Sequence, residues 1–295
     1  MSNLTTLATV RDWLRYAVSR FNAAHLSFGH GTDNAYDEAV WLILSSLHLP
    51  VDQLAPFLDA HLLTHERTLL AERIERRVTE RIPTAYLVGE AWLHGLRFEV
   101  TPAVIVPRSF LAGMILERLA PWLDETQPVT HALDLCTGSG CLAILLAHVF
   151  PEAKIDAIDL SPEALAVARR NVDQHGVVER VRLIESDLFT AVPEQRWDLI
   201  VSNPPYVDAA AMTALPSEYR HEPTLALASG TDGLDATRTI LAEAKRHLNP
   251  GGLLIVEIGH NRAALEAAFP TLSFTWPELD GGDDMVFVLT REQLP

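Results

Sequence analysis

Basic residues are scarce in this chain. Its 295 residues include 23 Lys and Arg against 39 Asp and Glu, a formal net charge of −16. A broad electrostatic grip on duplex DNA needs several cations on phosphates, so direct DNA binding is not expected. Long apolar runs are also missing. The longest, near Leu142 to Phe150, is far too short to span a bilayer, which argues against a membrane protein. Only two cysteines are present, Cys136 and Cys141, five apart. They make neither a disulfide framework nor a metal pattern, and a reduced, cytoplasmic compartment is the simple reading. The twelve histidines show no metal-ligand spacing, so no metal is expected. Met1-Ser2-Asn3-Leu4 lacks the basic and apolar regions of a secretory leader. There is no internal repeat and no low-complexity segment.

What is present suits a globular protein. Hydrophobic residues make up 48% of the chain and its mean hydropathy is +0.11, enough for a substantial core. The length fits one large or two modest domains. The acidic balance favours solubility first, and a basic partner second.

Residues 1–85 show helical apolar spacing at Leu4 to Phe21, Ala35 to Leu47 and Thr64 to Val78, which predicts a small helical domain. Residues 86–110 read as a β-hairpin connector, with Ala91-Trp92-Leu93 and Leu96 to Val100 flanking the turn His94-Gly95. From 111 to 295 strands and helices alternate, which predicts an α/β fold with a doubly wound, mainly parallel sheet. The strands are expected at Thr130 to Leu135, Lys154 to Asp159, Val181 to Glu185, Trp197 to Ser202, Leu253 to Ile258 and Met285 to Thr290, with a further extended piece at Leu272 to Thr275. Asn249-Pro250-Gly251-Gly252 reads as the end of a helix. The connection from Val207 to Asp235 is long enough to suggest a functional loop.

Three strand ends carry acids. Asp134 precedes the glycine-rich turn Cys136-Thr137-Gly138-Ser139-Gly140, whose glycines allow close backbone approach to a ligand. Gly138-x-Gly140-x-x-Ala143 with Asp159 also satisfies a dinucleotide fingerprint, so a nicotinamide dehydrogenase is a rival. Asp134 tilts the choice, because a carboxylate there repels a pyrophosphate but can hold a cationic amino group. S-adenosyl-L-methionine has that ammonium, ribose hydroxyls for Asp159 beside Leu160, and an adenine amine for Asp187. Leu188 and Phe189 are expected against the adenine ring. Asp187 also suits a helix N-cap.

Asn203-Pro204-Pro205-Tyr206 follows the apolar run Trp197 to Ser202. Two prolines cannot extend a strand, so the chain must turn rigidly where open α/β sheets bind ligands. The turn offers the Asn203 side-chain oxygen, the Pro204 carbonyl and the Tyr206 ring to a planar NH2 group. These residues leave an amide and a base amine equally open. A non-catalytic module that chaperones a basic protein is a third reading.

Together these residues resemble the class I S-adenosylmethionine-dependent methyltransferases, which implies a seven-stranded sheet. Over nearly its full length the chain resembles the HemK-like protein glutamine methyltransferases. That resemblance rests on Pro83-Thr84-Ala85-Tyr86-Leu87, Gly89, Gly95, Phe98, Val106-Pro107-Arg108, Asp134 to Gly140, Asp159, Asn203 to Tyr206, Glu222-Pro223 and Gly230-x-Asp232-Gly233-Leu234. Release-factor enzymes usually continue Pro-Arg with Pro-Glu-Thr-Glu, whereas here Ser109-Phe110 follows. That favours the branch acting on a glutamine of protein three of the large ribosomal subunit. The alternatives are the GGQ glutamine of release factors and, more remotely, adenine in nucleic acid. The resemblance implies a substrate-recognition role for residues 1–85, catalytic roles for Asn203, Pro204, Pro205 and Tyr206, and substrate contacts for Arg108 and Glu222. The implied partner is a basic ribosomal protein, free or partly assembled.

Overall fold

The computed structural model describes residues 4–123, 128–192 and 194–295. Met1 to Asn3, where the leader reading begins, lie outside the described residues. Among the described residues no helix is long and apolar enough to cross a membrane. The chain divides into two compact units, Met1–Ala91 with Pro216–His221, and Trp92–Leu215 with Glu222–Pro295.

The first unit is helical. Thr9 caps the helix Val10–Ala23 through a reciprocal pair with Asp12, so this helix starts well after Leu4, and Leu4–Thr6 is a separate 3-10 turn. Asn34 caps Ala35–Ser46, and Thr64–Thr79 follows. A fourth helix, Thr84–Val88, carries the helical unit past residue 85 into Tyr86 to Val88, which sequence assigns to the hairpin connector; Gly89 stops it at φ +78°. Trp13, Phe21, Leu42, Leu70 and Ile74 build the core. Pro216–His221 joins this unit, although the sequence suggests only a loop of the later domain. The reason is a buried ionic cluster. Glu218 accepts from Ser27 N–H at 3.0 Å and pairs with Arg77 and Arg81, while Arg77 also meets Glu38.

The strands are β1 (Glu90–Leu93), β2 (Leu96–Glu99), β3 (His131–Leu135), β4 (Lys154–Asp159), β5 (Val181–Glu185), β6 (Trp197–Ser202), β7 (Leu248–Glu257) and β8 (Val286–Thr290). β1 and β2 form the expected hairpin. The others form one sheet in the order β5-β4-β3-β6-β7-β8, parallel except for the β7–β8 pair. The described sheet therefore has six strands, not the seven implied by family resemblance. The extended piece around Thr275 contributes one antiparallel bridge to Val288 and no ladder. Asn249-Pro250-Gly251-Gly252 also departs from expectation. It lies within β7, and the register against β6 slips between Trp197 and Leu199 to absorb it.

Alternation along β6 sends Leu199 and Val201 into one apolar layer and Ile200 into the other. Both faces are covered, which leaves the strand ends as the place for polar chemistry. Chain order reverses between β3 and β6. The crevice at their carboxyl ends is where a doubly wound fold binds ligands. Ser202 Oγ donates to Leu135 O at 2.9 Å and locks these two strand ends together.

Candidate active site

A cavity of about 370 Å³ opens at this crevice. That volume lies within the usual range for small-molecule sites. Cys136 and Gly138 from the β3 turn, Asp159 and Leu160 from the end of β4, Asp187 and Leu188 after β5, and Asn203 and Pro205 after β6 all line it. The far wall comes from the 223–239 stretch, including Pro223, Leu225 and Asp235.

The glycine-rich turn is tightly wound. Cys136, Gly138 and Gly140 all have positive φ, and a Cβ on Gly140 would sit 3.2 Å from Ala168 Cβ. Asp159 holds the turn from outside. Its Oδ2 accepts from Gly138 N–H at 2.8 Å and its Oδ1 from Ser161 N–H at 2.9 Å. Burial raises its pKa, opposed by these backbone bonds.

Asp134 holds the turn from beneath. It is 1% exposed and does not line the cavity. Oδ2 accepts from Thr137 Oγ1 at 2.6 Å and Ala143 N–H at 3.0 Å, while Oδ1 has no partner. Burial pushes its pKa up to about 7, against the pull of Thr137 and Ala143. The direct contact expected of Asp134 with a ligand's amino group is therefore replaced by a hidden carboxylate under the loop. Thr137, Ser139 and Gly140 likewise shape the turn without lining the cavity. Burial also pushes the Cys141 thiol up to about 12 and raises that of Cys136.

Phe189 departs from expectation too. It is buried, stacked on His247 with centroids 4.5 Å apart, and absent from the cavity wall. Apolar cavity contacts instead come from Ile158, Leu160, Ala164 and Leu188.

Asn203 lines a second, smaller cavity as well. Of about 20 Å³, it has room for roughly one water-sized group. Its wall includes Arg108, Pro204 and Tyr206. Asn203 Nδ2 makes a long contact to the Arg108 carbonyl, 3.4 Å, which leaves Oδ1 to accept. Tyr206 is held at three points. Asn261 Nδ2 donates to its carbonyl at 2.6 Å, its hydroxyl donates to Glu257 Oε1 at 3.3 Å, and its ring lies against Gly259. A Cβ on Gly259 would come within 2.7 Å of the ring. Arg108 is engaged by Glu222. Sequence assigns Glu257, Asn261 and Ser109 no part in the site; for Glu257, an acid closing the apolar run Leu253-Leu254-Ile255-Val256 was the available signal.

Residues 116–218 match the Methyltransferase small domain family. The ribosomal protein uL3 glutamine methyltransferase of Neisseria gonorrhoeae is 59% identical over 98% of this chain and 96% of its own length. Those of Bordetella pertussis and Burkholderia pseudomallei are 55% and 52% identical, each over 99% of this chain and 98% and 97% of their own lengths. This chain belongs to the uL3 glutamine methyltransferase family. The catalytic domain of hMettl16, solved with a MAT2A 3'UTR hairpin, shares its fold with a TM-score of 0.52. That match has 15% identity and covers 79% of this chain and 84% of that one.

S-adenosyl-L-methionine is the methyl donor this class of fold implies, and the residues present fit it. The cavity combines two carboxylates, Asp159 and Asp187, with apolar walls and Cys136 and Gly138 of the positive-φ turn. The unpartnered Oδ1 of Asp134 lies buried beneath that turn.

Proposed function

We propose that this protein transfers a methyl group from S-adenosyl-L-methionine to the side-chain amide nitrogen of a glutamine in ribosomal protein uL3. One observation carries the reading: Asn203 lines both cavities, so a donor in the larger and an NH2 group in the smaller meet at one side chain.

An amide nitrogen is a poor nucleophile because its lone pair is delocalised into the carbonyl. Asn203 Oδ1 and the Pro204 carbonyl accept from its two N–H groups and fix the plane. These bonds strengthen as positive charge develops on nitrogen, which is preorganised electrostatic stabilisation with orientation; the sulfonium would leave as a thioether and the methylated nitrogen would release a proton to solvent. Tyr206 and Arg108 wall the space the amide enters. When bound, S-adenosyl-L-methionine supplies an electrophilic methyl on a sulfonium. Asp159, Asp187 and the turn at Gly138 hold that ligand.

The named relatives support uL3 over a release factor. A basic ribosomal protein also suits a net charge of −16. We assign substrate recognition to the helical unit, and place the reaction in the cytoplasm on free or partly assembled uL3, before its glutamine is buried. The test is mass spectrometry of large-subunit proteins from cells lacking the gene. Loss of one methylation from uL3, a mass decrease of about 14 Da, is expected. An unchanged uL3 with an unmethylated release factor would overturn the assignment.

A further inference from the structure

We infer that Glu257 is a positioning residue for the amide-accepting side of the site, acting through Tyr206 and Ser109. The inference rests on the reading of Asn203 to Tyr206 as the amide grip. Glu257 ends β7 behind four apolar residues and is 3% exposed. A carboxylate in such a place is unfavourable unless donors surround it. Its sheet neighbour on β8 is Val286, so nothing in the strand pairing calls for an acid.

Three donors converge on it. Ser109 Oγ and Phe110 N–H reach Oε2 at 2.6 and 3.1 Å, and the Tyr206 hydroxyl reaches Oε1 at 3.3 Å. These donors come from two separated segments that wall the small cavity. Ser109 directly follows Arg108, whose carbonyl meets Asn203, and Tyr206 faces the same space. Ser109 also caps the helix Phe110–Leu116 through Leu111 N–H, which fixes how the chain leaves Arg108. Asn261 and Gly259 set the backbone and plane of Tyr206, while Glu257 holds its tip. Glu257 does not line the larger cavity. Its loss is therefore felt by the acceptor and not by the methyl donor.

The experiment measures methyl transfer from labelled S-adenosyl-L-methionine to purified uL3 by the full-length protein. Glu257→Leu is expected to lower kcat/KM for uL3 by about 10²-fold, the scale of a misplaced reacting group. Calorimetric affinity for S-adenosyl-L-methionine should stay within about twofold of wild type, because the donor site is untouched. Glu257→Gln, which still accepts from Ser109 and Phe110, should recover most of the loss. In a Tyr206→Phe background the effect of either substitution should shrink, since coupled residues are not additive. Equal loss of donor affinity, or fully multiplicative effects with Tyr206→Phe, would overturn the inference. If Glu257→Leu fails to fold, Ser109→Ala, which removes one of the donors to Glu257, decides by the same criterion with and without Tyr206→Phe. A wild-type protein inactive on uL3 would instead overturn the functional reading beneath it.

Discussion

Arg108 and Glu222 meet through two parallel hydrogen bonds, Nη1 to Oε1 and Nη2 to Oε2, each 2.6 Å long. This fork is the strong geometry for an arginine and a carboxylate. The Glu222 side chain is fully buried, and its Oε1 also accepts from Val106 N–H at 3.0 Å. The pair joins the entrance to the helix Phe110–Leu116 to the segment whose Pro223 and Leu225 wall the larger cavity. Family resemblance implies substrate contact for these residues, and the geometry adds a structural ion pair between them. Arg108→Ala leaves a buried carboxylate uncompensated, a loss of about 3 kcal/mol. Arg108→Lys keeps the charge but not the fork, and should fall between. Thermal unfolding checks both; an unchanged midpoint for Arg108→Ala would show that the pair contributes nothing.

Asn203→Ala removes one of the two acceptors that orient the amide. The turn itself is held by its prolines and by Asn261, so the site should otherwise persist. Methyl transfer is expected to fall by roughly 10²–10³-fold, as for loss of one preorganised hydrogen-bond partner. Donor affinity should change little. Single-turnover kinetics with calorimetry separate the two, and near-wild-type turnover would refute the mechanism.

Much of the second unit was legible because its strands are short apolar runs between clear breakers. Lys154–Asp159, Val181–Glu185 and Trp197–Ser202 are the spans the sequence predicts, and the acids and the double proline fall at their ends. The misses share a cause in tertiary context. Asn249-Pro250-Gly251-Gly252 looks like a helix stop, but β6 recruits it into β7 by slipping register. Pro216–His221 reads as loop until Arg77 and Arg81 claim Glu218. Asp134 was correctly placed at a strand end, yet sequence carries no sign that Thr137 and Ala143 fold over it. Glu257 showed only as an acid closing an apolar run; its role was hidden for the same reason, since its donors lie about 50 and 150 residues away along the chain.

Asp159 serves the donor site through its position. Both oxygens accept from backbone N–H groups, so the carboxylate fixes the Gly138 turn while facing the cavity. Asp159→Ala should weaken binding of S-adenosyl-L-methionine by roughly 10–10²-fold, the equivalent of a charged hydrogen bond. The effect belongs in affinity more than in kcat. Calorimetry giving wild-type affinity would remove Asp159 from the site.

Asp134 makes the stability of the ligand-free protein depend on pH. Burial holds its carboxyl protonated up to about pH 7, whereas an unfolded chain releases that proton near about pH 4. Between those values the folded state binds more protons than the unfolded one. Stability from this group is therefore full below about pH 4, falls as pH rises through the window, and levels off above 7. The shift, about three pH units, corresponds to a loss on the order of 4 kcal/mol. Asp134→Asn is neutral at every pH and keeps an acceptor for Thr137 and Ala143. It should raise the unfolding midpoint relative to wild type at pH 8. Near pH 4, where the wild-type carboxyl is already protonated in the fold, the two proteins should unfold together. A stabilisation equal at both pH values would mean that the Asp134 carboxyl titrates no higher in the fold than in the unfolded chain, and that the benefit of Asn there is not electrostatic.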